Sequence, residues 1–198
     1  MICVQSEGEI ILNYPQYTGG EHSLLNSLQQ GGYILYARHG EAHVGSDQPY
    51  LDLNNCYTQR NLTDTGRRQA IFYGDAIRRL QIPIEYPVHA SPLCRTRETA
   101  SLAFGGMNVQ VDPIGYEINQ LSGHLNWWDQ ERILNDLQSV LEIPPSRGKN
   151  KVIVAHSFPS GVGLSNIPNM GTVVVKPLGR GNGYEIVARI PLEQLQYL

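Results

Sequence analysis

The chain predicts an α/β fold: three layers, a mainly parallel central sheet with helices on both faces, and a C-terminal edge hairpin. Three observations predict it. Tyr33–Ala37 and Lys151–Ala155 are apolar, β-branched or aromatic at almost every position, as buried strands are. Segments with apolar residues at helical spacing separate the strand candidates. The resulting order, strand–helix–strand–helix–strand–helix–strand, belongs to sheets built from parallel strands.

Residues 1–20 are polar with scattered aliphatics. Glu21 to Gln30 carries Leu24, Leu25 and Leu28 at helical spacing, and Gly31-Gly32 ends it. Residues 1–32 therefore read as an extension with one short helix, ahead of the strand Tyr33–Ala37. Gly40 to Asn61 lacks periodicity, and loops of that length inside a domain are often functional. Thr63 caps a helix from Asp64 to about Leu80, with Ala70, Tyr73, Ile77 and Leu80 inward and its arginines mostly on the solvated side. Pro83 closes it. Tyr86–Ala90 is the second strand, Leu93–Phe104 the next helix and Asn108–Asp112 the third strand. Ile114–Gly123 reads as irregular. Leu125–Glu142 is a long helix with Trp128, Ile133, Leu134, Leu137 and Leu141 inward, stopped by Pro144-Pro145. Lys151–Ala155 follows as a strand. Thr172–Lys176 and Tyr184–Ile190, joined by a Gly-rich turn, form the edge hairpin.

The bulk numbers exclude several classes. With 198 residues, 41% hydrophobic, 17% charged and a net charge of −3, the chain fits one globular domain without a global basic field. Nucleic acid is not an expected partner. No run of about 18 apolar residues is present, so no membrane span is expected. The three cysteines, Cys3, Cys56 and Cys94, are few and odd in number, so no disulfide framework is expected. A reducing, cytoplasmic setting fits that usage and the lack of a signal-peptide pattern. A periplasmic or exported setting would require a leader beyond this sequence.

Three strand ends carry reactive side chains. Arg38-His39-Gly40-Glu41 follows the first strand, Ser91 to Ala100 follows the second and opens a helix, and His156-Ser157 follows the last buried strand. In a parallel sheet these ends share one edge, where α/β folds bind ligands. Two histidines and two arginines converging there suit a phosphoryl group. Planar guanidinium groups match its charge bidentately, so neither metal nor cofactor is called for.

These motifs resemble the histidine phosphatase superfamily, with its phosphoglycerate-mutase-like fold. Its signature is Arg-His-Gly at the end of the first strand (Arg38-His39-Gly40), a Leu-Thr/Ser-x-x-Gly helix start (Leu62 to Gly66), Ser-Pro-x-x-Arg-Thr-x-x-Thr-Ala (Ser91 to Ala100) and an apolar strand ending in His (Val152 to His156). The segment Asn55–Leu62 and the strand Gly171–Val175 are further similar to the subgroup with the lipopolysaccharide core heptose-phosphate phosphatases.

The resemblance implies a metal-independent phosphomonoester hydrolase acting on a small phosphorylated metabolite or sugar phosphate. His39 is the implied nucleophile, forming a phosphohistidine that water releases. Arg38, Arg95, a protonated His156 and the Ser157 backbone N–H would hold the phosphoryl oxygens. Glu117, between Tyr116 and Ile118, is the implied proton donor, with Asp129 in reserve. Glu41, Asn55 and Arg60 are candidate substrate contacts. The expected state is monomer or homodimer.

Other readings compete. Cys56 and Cys94 lack an arginine six positions on, which excludes a cysteine phosphatase, and no Gly-x-Ser-x-Gly elbow surrounds Ser157 or Ser160. A mutase-type phosphotransferase shares the same site. A catalytically weak protein that senses a phosphorylated ligand is the rival of another class. His22, His89 and His124 read as structural, Arg97 as a solvated helix arginine and Cys94 as a small core residue.

Overall fold

A computed structural model describes residues 23–123 and 125–198; residues 1–22, with the polar N-terminal stretch and His22, and also His124, lie outside the described residues. Helix α1 is Leu24–Gln30, capped by the Ser23 hydroxyl and stopped at Gly31 with φ 81°. It leads into β1, Ile34–Arg38. A long loop with one 3-10 turn at Cys56–Thr58 connects β1 to α2, Asp64–Arg79. Thr63 is the N-cap of α2, its hydroxyl accepting from the Gly66 N–H. Strand β2 is Val88–Ala90, α3 Cys94–Phe104 and β3 Val109–Val111. Helices α4, Ile114–Gln120, and α5, Trp127–Leu141, precede β4, Lys151–Ala155. The hairpin β5, Thr172–Pro177, and β6, Tyr184–Ile190, is followed by the single turn α6, Leu192–Leu195.

The six strands lie in the order β3-β2-β4-β1-β5-β6. β3, β2, β4 and β1 are mutually parallel, while β5 pairs antiparallel with both β1 and β6. Both faces are covered, and successive residues of each strand feed opposite layers. Leu35, Ala37, Val152 and Val154 pack with α2 and α3 through Ala70, Tyr73, Ala100 and Phe104. Ile34, Tyr36, Ile153 and Ala155 pack with α4 and α5 through Ile118, Ile133, Leu137 and Leu141. That is why these strands read as continuous apolar runs rather than alternating ones. Among the described residues no helix is long and apolar enough to cross a membrane.

Three expectations are corrected. Ile114–Gly123 is not irregular, because α4 occupies most of it. The Asp112 carboxylate accepts from the Ile114 N–H, and Pro113 presets helical φ at the start. The apolar signal of a seven-residue helix containing Gly115 is too short to show periodicity. Trp128 does not face inward and is 74% exposed. It lies nine residues before buried Leu137, two and a half turns away and so on the opposite side of α5.

The third correction concerns cysteine. Cys56 and Cys94 form a disulfide across a sequence separation of 38. The loop brings them together: the Gln59 side chain accepts from the Cys94 N–H (2.7 Å), and Arg97 Nη2 donates to the Leu53 carbonyl (3.2 Å). Arg97 is accordingly a loop clamp and not a purely solvated arginine. The expectation of a reducing compartment rested on unpaired cysteines and loses that ground.

The first turn of α2 touches the backbone just beyond β1. A Cβ on Gly66 would stand 2.0 Å from the Glu41 carbonyl oxygen. Alanine gains about 1 kcal/mol over glycine in a helix. Overpacking against backbone costs typically ~1–3 kcal/mol and occasionally more. Gly66→Ala is expected to be net destabilising, seen as a lower urea midpoint with unchanged m-value.

Candidate active site

β2, β4 and β1 are neighbours, and their registers align their C-terminal ends: Arg38 lies opposite Ala155, and Ala90 opposite Val154. The residues that follow, Ser91, His156 and His39, therefore fall in one row. The pairing continues a step beyond the strands, with the His39 N–H donating to the Ala155 carbonyl (3.0 Å) and the Ser91 N–H to the Val154 carbonyl (3.0 Å). The two imidazoles meet edge to face, centroids 5.5 Å apart and planes at 67°. They are 4% and 3% exposed. Ser91 Oγ lies 2.8 Å from His156 Nε2.

Arginines surround this pair. Arg95, in the first turn of α3, is 1% exposed. Its Nη1 donates to both oxygens of Asp47 (3.0 and 3.3 Å), and its Nη2 donates to Asn119 Oδ1 (3.1 Å). Arg38 Nη1 donates to the Ile167 carbonyl (2.8 Å). Arg60 comes from the long loop, where its backbone N–H donates to Asp47 Oδ1 (2.7 Å). Its charge is felt by both histidines and by both other arginines. Among the described residues, the buried side-chain nitrogens and oxygens left without a partner are Arg38 Nε, Arg95 Nε and His156 Nδ1. All three belong to this site. Buried polar atoms are almost always satisfied, so three such atoms in one place make this a candidate ligand position.

The electrostatics keep His39 neutral. Its Nδ1 lies 2.6 Å from the Gly40 carbonyl, an acceptor, so the ring proton sits on Nδ1 and the lone pair on Nε2. Burial pushes its pKa down to about 3; the Gly40 bond opposes the shift, and Arg95, Arg38 and Arg60 add to it. Burial, then His39 and the same arginines, hold His156 well below its ordinary value. Both rings are thus neutral near neutral pH.

The other expected residues are placed as follows. Ser157 braces the loop behind Arg38: its hydroxyl donates to Asn166 Oδ1 (3.0 Å) and accepts from the Ile167 N–H (2.8 Å). Glu41 accepts from the Thr63 hydroxyl (2.7 Å) at the start of α2. Asn55 is exposed and caps the 3-10 turn, accepting from the Tyr57 N–H (3.1 Å). Glu117 is not brought to the histidines. A Cβ on Gly115 would stand 2.6 Å from Ser91 Cβ, so α4 presses that face onto the site. Asn119, one turn on, shares the face, whereas Glu117 is about 200° away from both. Its carboxylate binds Arg132 Nη1 (2.6 Å) instead. Asp129 is held by Asn126 at the start of α5. His89 pairs with Asp112 (3.5 Å), away from the row.

The sequence does not mark Asp47, Asn119 or Ser91 as partners of Arg95 and His156. Asp47 lies in a loop without periodicity and Asn119 on the helix that went unread. Ser91 opens the Ser-Pro-x-x-Arg-Thr motif, which is the local signal for it. Among the described residues no group of three or more His, Cys, Asp or Glu is placed to hold a metal ion.

The chain was compared with known proteins. Residues 34–119 match the histidine phosphatase superfamily (branch 1). The matched segment supplies Arg38, His39, Arg95 and Asn119. No curated protein matches the sequence. Among solved structures the fold is similar to the protein histidine phosphatase SixA complexed with tungstate, at 17% identity and TM-score 0.54, covering 82% of this chain and 99% of that one. It is similar to a phosphoserine phosphatase from Entamoeba histolytica in complex with phosphoserine, at 16% identity and TM-score 0.53, covering 82% and 98%. A putative alpha-ribazole-5'-P phosphatase from Escherichia coli gives 14% identity and TM-score 0.53 over 82% and 98%. At these identities the likeness is one of fold.

The depressed His39 pKa has a stability consequence. Between about 3 and 6.5 the unfolded chain binds a proton that folded His39 does not. Stability therefore rises with pH through that window and is flat in this respect above it. The slope is up to about 1.4 kcal/mol per pH unit for each such histidine. His39→Gln should flatten the dependence by about that amount, measured as urea unfolding free energy against pH.

Proposed function

We propose that the chain is a phosphomonoesterase of the histidine phosphatase superfamily that forms a phosphohistidine at His39 and acts on a small phosphorylated metabolite. One observation carries this reading: three buried, unpartnered nitrogens, Arg38 Nε, Arg95 Nε and His156 Nδ1, gathered around a neutral histidine with a free Nε2 lone pair. We assign the Ser91 hydroxyl as donor to His156 Nε2 (2.8 Å), which puts the ring proton of His156 on Nδ1, where it can meet a phosphoryl oxygen. In this assignment His156 donates as a neutral ring, its pKa held low by burial. The charge count supports a monoester. Arg38, Arg60 and Arg95 against Asp47 leave two positive charges, equal and opposite to a phosphomonoester dianion.

In the first step His39 Nε2 attacks phosphorus, the N–P bond forms and the P–O bond to the leaving group breaks. Water then attacks the phosphohistidine, the N–P bond breaks and inorganic phosphate leaves, restoring the lone pair on Nε2. The guanidinium groups match the charge spread over the equatorial oxygens. The leaving oxygen takes up a proton, ultimately from solvent, as the P–O bond breaks, and Glu117 is ion-paired with Arg132 rather than set beside His39. The heptose-phosphate subgroup supplies one candidate substrate class, a sugar phosphate, through the similarity of Asn55–Leu62.

The test is phosphate release from an aryl phosphate in excess chelator. His39→Ala is expected to lose roughly 10³-fold or more in kcat/KM, together with an acid-labile phosphoenzyme seen in wild type. Phosphate release equal to wild type in His39→Ala would refute the nucleophile. Absence of His39-dependent release from every substrate tried would leave a phospho-ligand-binding protein.

A further inference from the structure

Resting on the phosphatase reading above, we propose that Asp47 and Asn119 are positioning residues that hold the far end of Arg95, so that its Nε side is presented to the phosphoryl oxygens. A guanidinium is a rigid planar fork with five N–H bonds and no acceptor. Asp47 takes Nη1 and Asn119 takes Nη2, while Nε is buried and has no partner. Arg38 repeats the arrangement, with Nη1 fixed by the Ile167 carbonyl and Nε without a partner. In both arginines a terminal nitrogen is anchored by protein and the inner nitrogen is left over.

Asp47 is itself fixed to the element it serves. Its Oδ1 also accepts from the Arg60 N–H (2.7 Å), so one carboxylate joins two of the three site arginines. The loop carrying Asp47 and Arg60 is bound to α3 through the Cys56–Cys94 disulfide and through Gln59 on the Cys94 N–H, one residue before Arg95. The loop and the arginine are thus held as one unit. Asn119 reaches the other terminal nitrogen of Arg95 from α4, on the face that Gly115 presses against Ser91.

The experiment titrates inorganic phosphate into the full chain by calorimetry and measures kcat and KM alongside. Asp47→Ala should weaken phosphate binding roughly ten-fold and raise KM by a similar factor, the scale of losing one charged hydrogen bond to a buried arginine. Asp47→Asn keeps an acceptor for Nη1 and should recover most of the loss. Asn119→Ala should weaken binding in the same direction. In an Arg95→Ala background Asp47→Ala should add nothing, because both act through one guanidinium. Tighter phosphate binding in Asp47→Ala would show a competing counter-ion and overturn the proposal. An undiminished further loss in the Arg95→Ala background would overturn it too. If Asp47→Ala does not fold, Asn119→Ala decides: wild-type phosphate affinity there refutes the clamp, and a loss alongside a near-normal Asp47→Asn supports it. A wild-type chain that binds no phosphate removes the phosphatase reading itself, whereas binding that ignores Asp47 and Asn119 removes only this inference.

Discussion

The candidate site depends on the register between β1 and β4. With Arg38 opposite Ala155, the next residues are His39 and His156, and their rings face each other. A slip of one residue would exchange the two faces of β1, sending Leu35 and Ala37 to the layer built for Ile34 and Tyr36. Both faces are buried, so hydrophobicity alone does not choose between the registers. Buried Asn150 supplies a polar pin at the far end of these strands. Its Oδ1 accepts from the Tyr33 N–H (3.2 Å), and its amide donates to the carbonyls of Leu28 (2.7 Å) and Pro83 (3.0 Å). A misplaced register would leave an amide unsatisfied in the interior, a loss of about 1–3 kcal/mol. The pin lies at the opposite end of the sheet from the chemistry it aligns.

The site in turn is a cost borne by the rest of the fold. Three guanidinium groups share a small volume with two histidines kept neutral by burial, and Asp47 is the carboxylate that offsets them. Terminal nitrogens are satisfied by Asp47, Asn119 and the Ile167 carbonyl, but the inner ones are not. An anion that bonds to those nitrogens binds only the folded state and raises its stability by mass action. The apolar layers on both sides of the sheet offset this concentration of like charge, and the disulfide and Asp47 keep the covering loop against it.

Much was legible from residue types because the local physics is short-range. Thr63 three residues before Gly66 marks the start of α2, and the observed cap bond is that one. The apolar runs of β1 and β4 announce strands buried on both faces, and Arg-His-Gly announces where the first one ends. Less was legible where geometry depends on packing across the sequence. Glu117 was chosen for its neighbours in the chain, but on α4 those neighbours fall on other faces, and Arg132 from α5 takes its carboxylate. Cys56 and Cys94 were read as unpaired because nothing near either one predicts that a patternless loop returns to the start of α3.

By itself the sequence determined the layered α/β fold and the strand ends that carry Arg38, His39, Arg95 and His156, since periodicity and motif spacing are local properties. Only the tertiary structure decided the charge states and partners of those groups. Neutral His39 and His156 are consequences of burial, a property of everything packed around them. The Asp47 and Asn119 bonds to Arg95 join residues 48 and 24 positions apart. Arg-His-Gly places a histidine at a sheet edge, while a loop and a short helix without strong local signals set the arginine beside it.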